Sequence, residues 1–195
     1  MAMQGSLNFV ENTGDVTQCL WASVSNEYAG ISLPGTIYPA FCDLDNDGDY
    51  DLYVGTTEAT NLLYYQNVGT SNSPVWAEPV VFPPQVQFSN RALAPFFADL
   101  DADGDYDLLV GTDQGSVLLC ENVGSAAEPV FGAVTYLAAP IALGSEAYPF
   151  FGDIDGDRDQ DLFIAMTNRM VWFENRGDPT RPNWLLRPSS ELSKV

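Results

Sequence analysis

Asp99-Leu100-Asp101-Ala102-Asp103-Gly104-Asp105-Tyr106-Asp107 places a carboxylate at every odd position of a nine-residue run. Two such charges about 4 Å apart repel by roughly 1 kcal/mol in water and roughly 4 kcal/mol at an effective dielectric of 20. A loop that gathers five of them needs a cation at its centre. Oxygen ligands at this density suit calcium, which takes about six to eight of them, whereas magnesium takes fewer from protein and keeps its waters.

The run occurs three times. Asp43, Asp45, Asp47, Asp49 and Asp51 form the first copy, Asp99, Asp101, Asp103, Asp105 and Asp107 the second, and Asp153, Asp155, Asp157, Asp159 and Asp161 the third. They are more than half of the 27 acidic residues, and a solvated acidic surface would not require strict alternation three times over. All 15 are therefore candidate metal-site residues, for about three calcium ions.

Further markers keep step with the acidic runs. After them come Gln66-Asn67-Val68-Gly69, Glu121-Asn122-Val123-Gly124 and Glu174-Asn175-Arg176-Gly177, and a fourth copy, Glu11-Asn12-Thr13-Gly14, precedes the first run. An aromatic residue follows each glycine by seven positions: Trp21, Trp76, Phe131 and Trp184. Pro39, Pro95 and Pro149 each stand four residues ahead of a run. The runs start at 43, 99 and 153, so the period is about 55 residues, the length of a repeat unit.

In the middle unit, Pro95 to Leu100 reads as a strand entering the acidic loop and Asp107 to Thr112 as a strand leaving it. Ser116 to Glu121 and Val130 to Leu137 supply two more. Leu108-Leu109-Val110 is apolar on both faces, so both are expected to be covered. Gly and Asn punctuation every eight to twelve residues favours strands over a short helix. Four antiparallel strands per unit, covered on both faces, is the pattern of a β-propeller blade. The chain is read as all-β, one repeat domain of about three and a half four-stranded blades with a calcium loop between first and second strands. Residues 1–30 form a half-blade holding the last two strands of a blade, and 31–92, 93–146 and 147–195 are full ones, the last with a weak outer strand near Trp184 to Leu186. Pro83-Pro84 falls in a connection between blades. The Asn-x-Gly turns are expected to use positive φ.

The stretch Phe96-Phe97-Ala98-Asp99-Leu100-Asp101-Ala102-Asp103-Gly104-Asp105-Tyr106-Asp107-Leu108-Leu109-Val110-Gly111 and its copies resemble the FG-GAP or VCBS repeats, similar to the calcium-binding blades of integrin α-subunit propellers. The resemblance implies a calcium ion in each loop. Its side-chain ligands would come from places one, three, five and nine, with the backbone carbonyl of place seven. An EF-hand shares the opening Asp-x-Asp-x-Asp-Gly but needs a bidentate Glu at place twelve. That place holds Val54, Val110 and Ile164, so the EF-hand reading fails. Gly48 and Gly104 occupy place six, where a tight turn favours glycine. Arg158 holds it in the third copy, where binding is expected to be weaker.

Composition narrows the function. Hydrophobic residues make up 46% of the 195, enough for a core. A net charge of −20 argues against nucleic acid or an anionic membrane as partner. Three divalent ions would bring the formal charge to −14. No apolar run is long enough to span a bilayer, and Met1 begins no signal peptide, so membrane insertion is not expected. Cys19, Cys42 and Cys120 show no paired spacing and read as small or apolar core residues.

The sequence contains no histidine, the commonest general base, and no nucleophile elbow or phosphate loop. Glu27, Glu58, Glu78, Glu128 and Glu146 show no paired placement of the kind glycosidase chemistry needs. A non-catalytic role is expected. Arg176-Gly177-Asp178 spells an adhesion tripeptide but coincides with the repeat's own turn. The aromatic series reads first as core packing and second as a sugar-binding lining. The favoured reading is an extracellular or cell-surface calcium-binding structural protein that self-assembles into a homo-oligomeric ring or a filament. The alternatives are a recognition or adhesion propeller binding glycan or protein, and the accessory domain of a secreted enzyme.

Overall fold

The computed structural model describes residues 4–15, 17–24, 28–84, 86–137, 146–167, 169–178 and 180–188. In chain order the strands are β1 (Gln4–Ser6), β2 (Ser32–Pro34), β3 (Ile37–Cys42), β4 (Asp51–Thr56), β5 (Leu62–Tyr65), β6 (Val80–Phe82), β7 (Ala94–Ala98), β8 (Asp107–Gly111), β9 (Val117–Cys120), β10 (Thr135–Tyr136), β11 (Tyr148–Gly152), β12 (Asp161–Ala165), β13 (Met170–Asn175) and β14 (Trp184–Arg187). The 3₁₀ turn Tyr28–Gly30 lies between β1 and β2.

β3 to β6, β7 to β10 and β11 to β14 each form a four-stranded antiparallel sheet in sequential order. Each acidic run lies between the first and second strands of its sheet, as expected. Place nine opens the second strand in the same register every time: Cys42 faces Asp51, Ala98 faces Asp107 and Gly152 faces Asp161. The weakly marked last strand is present as β14, and the connection after β6 carries a cis Phe82-Pro83 bond.

The second strands are the most buried elements, β4 and β8 at every residue. Their alternation divides the core between neighbouring interfaces. Leu52 and Val54 join Leu7, Ile31 and Tyr65 on one side of the first sheet, while Tyr53 joins Leu108, Val110 and Phe131 on the other. Leu109 points the opposite way and packs with Leu162, Ile164 and Phe173. Apolarity on both faces therefore marks sheets sandwiched between sheets.

Two glycines set how close the sheets come. A Cβ on Gly55 would strike the Leu93 carbonyl, and one on Gly111 the Ala147 carbonyl, at the first strand of the next sheet. The corresponding residue of the third sheet is Ala165. First strands also meet: the rings of Tyr38 on β3 and Tyr148 on β11 lie 5.5 Å apart, with Ala94 at the same place on the intervening sheet.

β1 pairs antiparallel with β2 in a two-stranded sheet, Gly5 opposite Leu33. The chain turns back at Ala29 and Gly30, both with positive φ. By the repeat spacing the counterpart of β6 falls on residues 25–27, outside the described residues.

The Asn-x-Gly turns also work differently from the expectation. Their glycines do not have positive φ. A Cβ would instead meet the backbone oxygen four residues on, Gln18, Ser73, Glu128 or Arg181 for Gly14, Gly69, Gly124 and Gly177. The asparagine side chain spans the turn. Asn122 Oδ1 accepts the N–H of Gly124 at 3.1 Å and of Val130 at 2.9 Å, and Asn12, Asn67 and Asn175 repeat both bonds. In each copy the residue paired across the turn is the aromatic of the series, Asn12 with Trp21, Asn67 with Trp76, Asn122 with Phe131 and Asn175 with Trp184.

Asn122→Ala leaves two N–H groups without their acceptor beside the buried Phe131, and is expected to cost about 3 kcal/mol. Asn12→Ala, where water can replace the lost acceptor, is expected to cost less than about 1 kcal/mol. Denaturant unfolding of the two variants measures the contrast.

Candidate metal centres

Each acidic loop is shaped by two left-handed residues. Place six holds Gly48 and Gly104, both at φ 95°, and Arg158 at φ 79°. Place four holds Asn46 at 57°, Ala102 at 58° and Gly156 at 81°. Only place six was apparent in the sequence as a special position. The third loop has its glycine at place four and its strained side chain at place six; the second loop has the reverse. Nothing lies within 4 Å of a Cβ built on Gly48, Gly104 or Gly156, so backbone conformation alone calls for glycine there.

Between these bends the carboxylates fold inward by accepting the loop's own N–H groups. Asp43 accepts those of Asp47 and Gly48, each at 3.1 Å, and Asp153 accepts those of Gly156 at 2.7 Å and Arg158 at 3.1 Å. Asp99 accepts that of Gly104 at 3.2 Å. Places one, three and five are thereby brought together: Asp43, Asp45 and Asp47; Asp99, Asp101 and Asp103; Asp153, Asp155 and Asp157. In each trio one oxygen per residue lies within 4.8 Å of the others.

Places seven and nine stand outside these trios. Place nine is a structural clamp. Asp51, Asp107 and Asp161 are buried, and the Oδ1 of each accepts the backbone N–H of Asn67, Asn122 or Asn175 at 2.7 to 2.8 Å. Their Oδ2 atoms accept Tyr64 Oη–H at 2.9 Å, Leu100 N–H at 3.1 Å and Ile154 N–H at 3.0 Å. A carboxylate oxygen can accept more than one bond, so this role leaves acceptor capacity for a cation.

The loops fit a hard cation on a second count. Asp45 Oδ1 and Asp99 Oδ1, both from the trios, are buried with no hydrogen-bond donor, as are Asp49 Oδ1 and Asp159 Oδ1 at place seven. Orphaned buried acceptors among like charges are costly, and a cation relieves both penalties. The trio residues, with places seven and nine alongside, would hold the ion, which supplies positive charge that draws the loop together. The first two trios are partly buried, whereas all three residues of the third are exposed.

Burial pushes Asp51, Asp107 and Asp159 up to about 6, with neighbouring carboxylates adding to the shift, and it raises Asp161 as well.

Cys42 and Cys120 are buried in the core between the first two sheets, and burial pushes both thiols up to about 12. Cys19 is exposed, so the core reading fails there. Phe131 is buried, and Trp76 and Trp184 pack at core margins; Trp21, in the uncovered segment, is 66% exposed. In the tripeptide turn Arg176 pairs with Glu174 at 2.8 Å, while Asp178 accepts the Thr180 N–H and hydroxyl as Asp15 accepts those of Thr17. Those bonds make it a repeat turn.

Three stacked four-stranded sheets, each with an acidic loop after its first strand, define an all-β repeat protein of β-propeller type. Residues 43–110 match the family model of the FG-GAP-like repeat. That stretch, which holds the first two acidic runs, is therefore similar to FG-GAP-like repeats, whose units fit a β-propeller-like fold; the third acidic run lies beyond it. No curated protein matches the chain.

Ala102→Gly removes a left-handed conformation that costs a residue with a Cβ roughly 1–2 kcal/mol, less the added entropy of the unfolded chain. A gain of about 1 kcal/mol is expected in denaturant unfolding, with Gly104→Ala moving the other way.

The pH dependence has a definite sign. Unfolded, these carboxyls titrate near 4. Between about 4 and 6 the metal-stripped folded chain holds more protons than the unfolded one. The stability these groups contribute is complete below about 4 and is lost as pH rises through about 6. Melting of the metal-stripped chain is expected to weaken as pH rises across this window, and excess calcium to abolish that fall.

Proposed function

We propose that this chain is a non-catalytic, calcium-stiffened structural module of the extracellular space or cell surface, and that it associates with further copies of itself. The observation that carries the calcium reading is the recurrence of three clustered carboxylates beside buried, donorless oxygens. The loops already gather these carboxylates without an ion, and calcium, by relieving their mutual repulsion, would act as part of the fold. No helix among the described residues is long and apolar enough to cross a membrane.

Self-association is supported by apolar surface at both ends of the stack. Leu20, Trp21 and Val24 are more than half exposed in the N-terminal segment. On the third sheet Met170, Leu185 and Leu186 are exposed, and Phe150, 37% exposed, begins a ladder of stacked rings through Phe163 to Trp172. Exposed apolar faces and strand edges are places where another chain can pair or pack. A closed ring and a filament both satisfy these ends.

Calcium at a hundred times its dissociation constant adds about 2.7 kcal/mol per native-only site. Chelation is therefore expected to lower the melting temperature strongly, and unchanged melting would remove calcium from the fold. Sedimentation in calcium is expected to show species larger than the monomer that diminish when residues 1–24 are deleted. A monomer at micromolar concentration, with or without those residues, would overturn the assembly reading.

A further inference from the structure

A cavity of about 690 Å³ opens between the N-terminal segment and the first sheet. Its walls include the rings of Phe9, Tyr28, Phe41, Tyr50 and Trp76. Phe9 and Tyr28 lie 5.1 Å apart, Tyr28 meets Trp76 edge-on at 6.3 Å, and Phe41 tilts against Trp76 at 6.2 Å. Phe9, Phe41 and Tyr50 are 44%, 53% and 64% exposed, so these ring faces are open to solvent instead of packed.

The same repeat positions are more closely packed elsewhere, although a smaller space of about 240 Å³ remains beside Tyr106 and Ala126, the counterparts of Tyr50 and Ser71. Between the first and second sheets, Phe97 and Phe131 replace Phe41 and Trp76, and Phe82 wedges beside them, 6.5 Å from the one and 5.3 Å from the other. Between the second and third sheets, Asn175, Trp184 and Gln160 replace Asn67, Trp76 and Tyr50, and the space is about 40 Å³. The cavity is thus larger than the spaces of about 240 and 40 Å³ found at the other two interfaces, and its size lies in the range of ligand sites.

Its chemistry selects the occupant. Glu11 is the one charged residue among the described lining, no Lys or Arg contributes, and Tyr50 stands between Asp49 and Asp51. Anionic ligands are disfavoured by that field and by the net charge of −20. One rim is polar, with Ser71, Asn72, Ser73 and the Glu11 carboxylate beside the ring faces. Flat apolar walls with hydroxyl, amide and carboxylate partners at the edge suit a ligand with C–H faces and hydroxyl edges. We propose that this cavity binds a neutral saccharide, stacked on the rings and hydrogen-bonded along the 71–74 turn. This goes beyond the structural reading above and does not depend on it.

The test uses the full chain in saturating calcium. An array of neutral oligosaccharides, covering α- and β-glucans, chitin, mannan, galactan and xylan fragments, is followed by titration of hits against choline as a cationic probe. Saturable binding of a neutral saccharide is expected, weakened at least tenfold by Phe41→Ala or Tyr50→Ala with little change in melting, since both side chains are largely exposed. Tyr106→Ala, the same loop position in the second sheet, is expected to leave affinity unchanged. Binding of choline alone, no hit on the array, or binding insensitive to both cavity variants would each overturn the proposal. Melting with and without calcium reports separately on the metal.

Discussion

At the start of each second strand a buried carboxylate accepts the backbone N–H of an asparagine 14 to 16 residues further on, at 2.7 to 2.8 Å. This bond ties the acidic loop to the turn after the third strand. The asparagine it fixes then holds that turn closed and sets the aromatic residue opposite. Loop, turn and inter-sheet packing are thus one connected arrangement in each unit. Asp107 is buried at the junction, and an unpartnered carboxylate there would cost several kcal/mol. The rest of the unit therefore depends on this pairing.

The same residues show why the loops tolerate so much charge. Carboxylates at places one, three and five are spent partly on N–H groups of their own loop, so the fold carries some compensation before any cation arrives. That compensation is incomplete, since Asp45 and Asp99 each keep a buried oxygen without a donor. The loops sit between rigid strands whose register is the same in all three units, so their ends are held still while their centres remain under electrostatic tension. A fixed frame around a charged centre suits metal binding that stiffens an existing shape.

Much of this was legible in the residues. The period of about 55, the four strands per unit and the placement of the acidic runs followed from alternation and punctuation, which are local properties. Five like charges in nine residues pointed to a cation loop, but not to which carboxylates meet; the structure brings together places one, three and five and leaves seven and nine outside that trio. What was not legible depends on contacts distant in sequence. The clamp at place nine joins residues in different turns, and the glycine of Asn-x-Gly answers to a carbonyl four residues away instead of to its own φ. The left-handed bend at place four was hidden because Ala102 and Asn46 mask what Gly156 reveals only on alignment of the copies. The exposure of Trp21 and Cys19 was likewise hidden, since both occupy ordinary repeat positions and burial there depends on a neighbouring sheet distant in sequence. The aromatic cavity was hidden for a similar reason, since Phe41 and Tyr50 occupy ordinary repeat positions.

The glycines at the end of β4 and β8 carry an implication for how such an array lengthens. At Gly55 and Gly111 the next sheet's carbonyl comes so close that only a hydrogen fits on the α-carbon. The third sheet has Ala165 at that place. Tandem duplication of its own last unit would therefore not reproduce the spacing found between the others, and a new neighbour would have to stand farther off or arrive together with a change to glycine. The units are alike in fold yet not interchangeable in order, and a single methyl group is enough to give the stack a direction of growth.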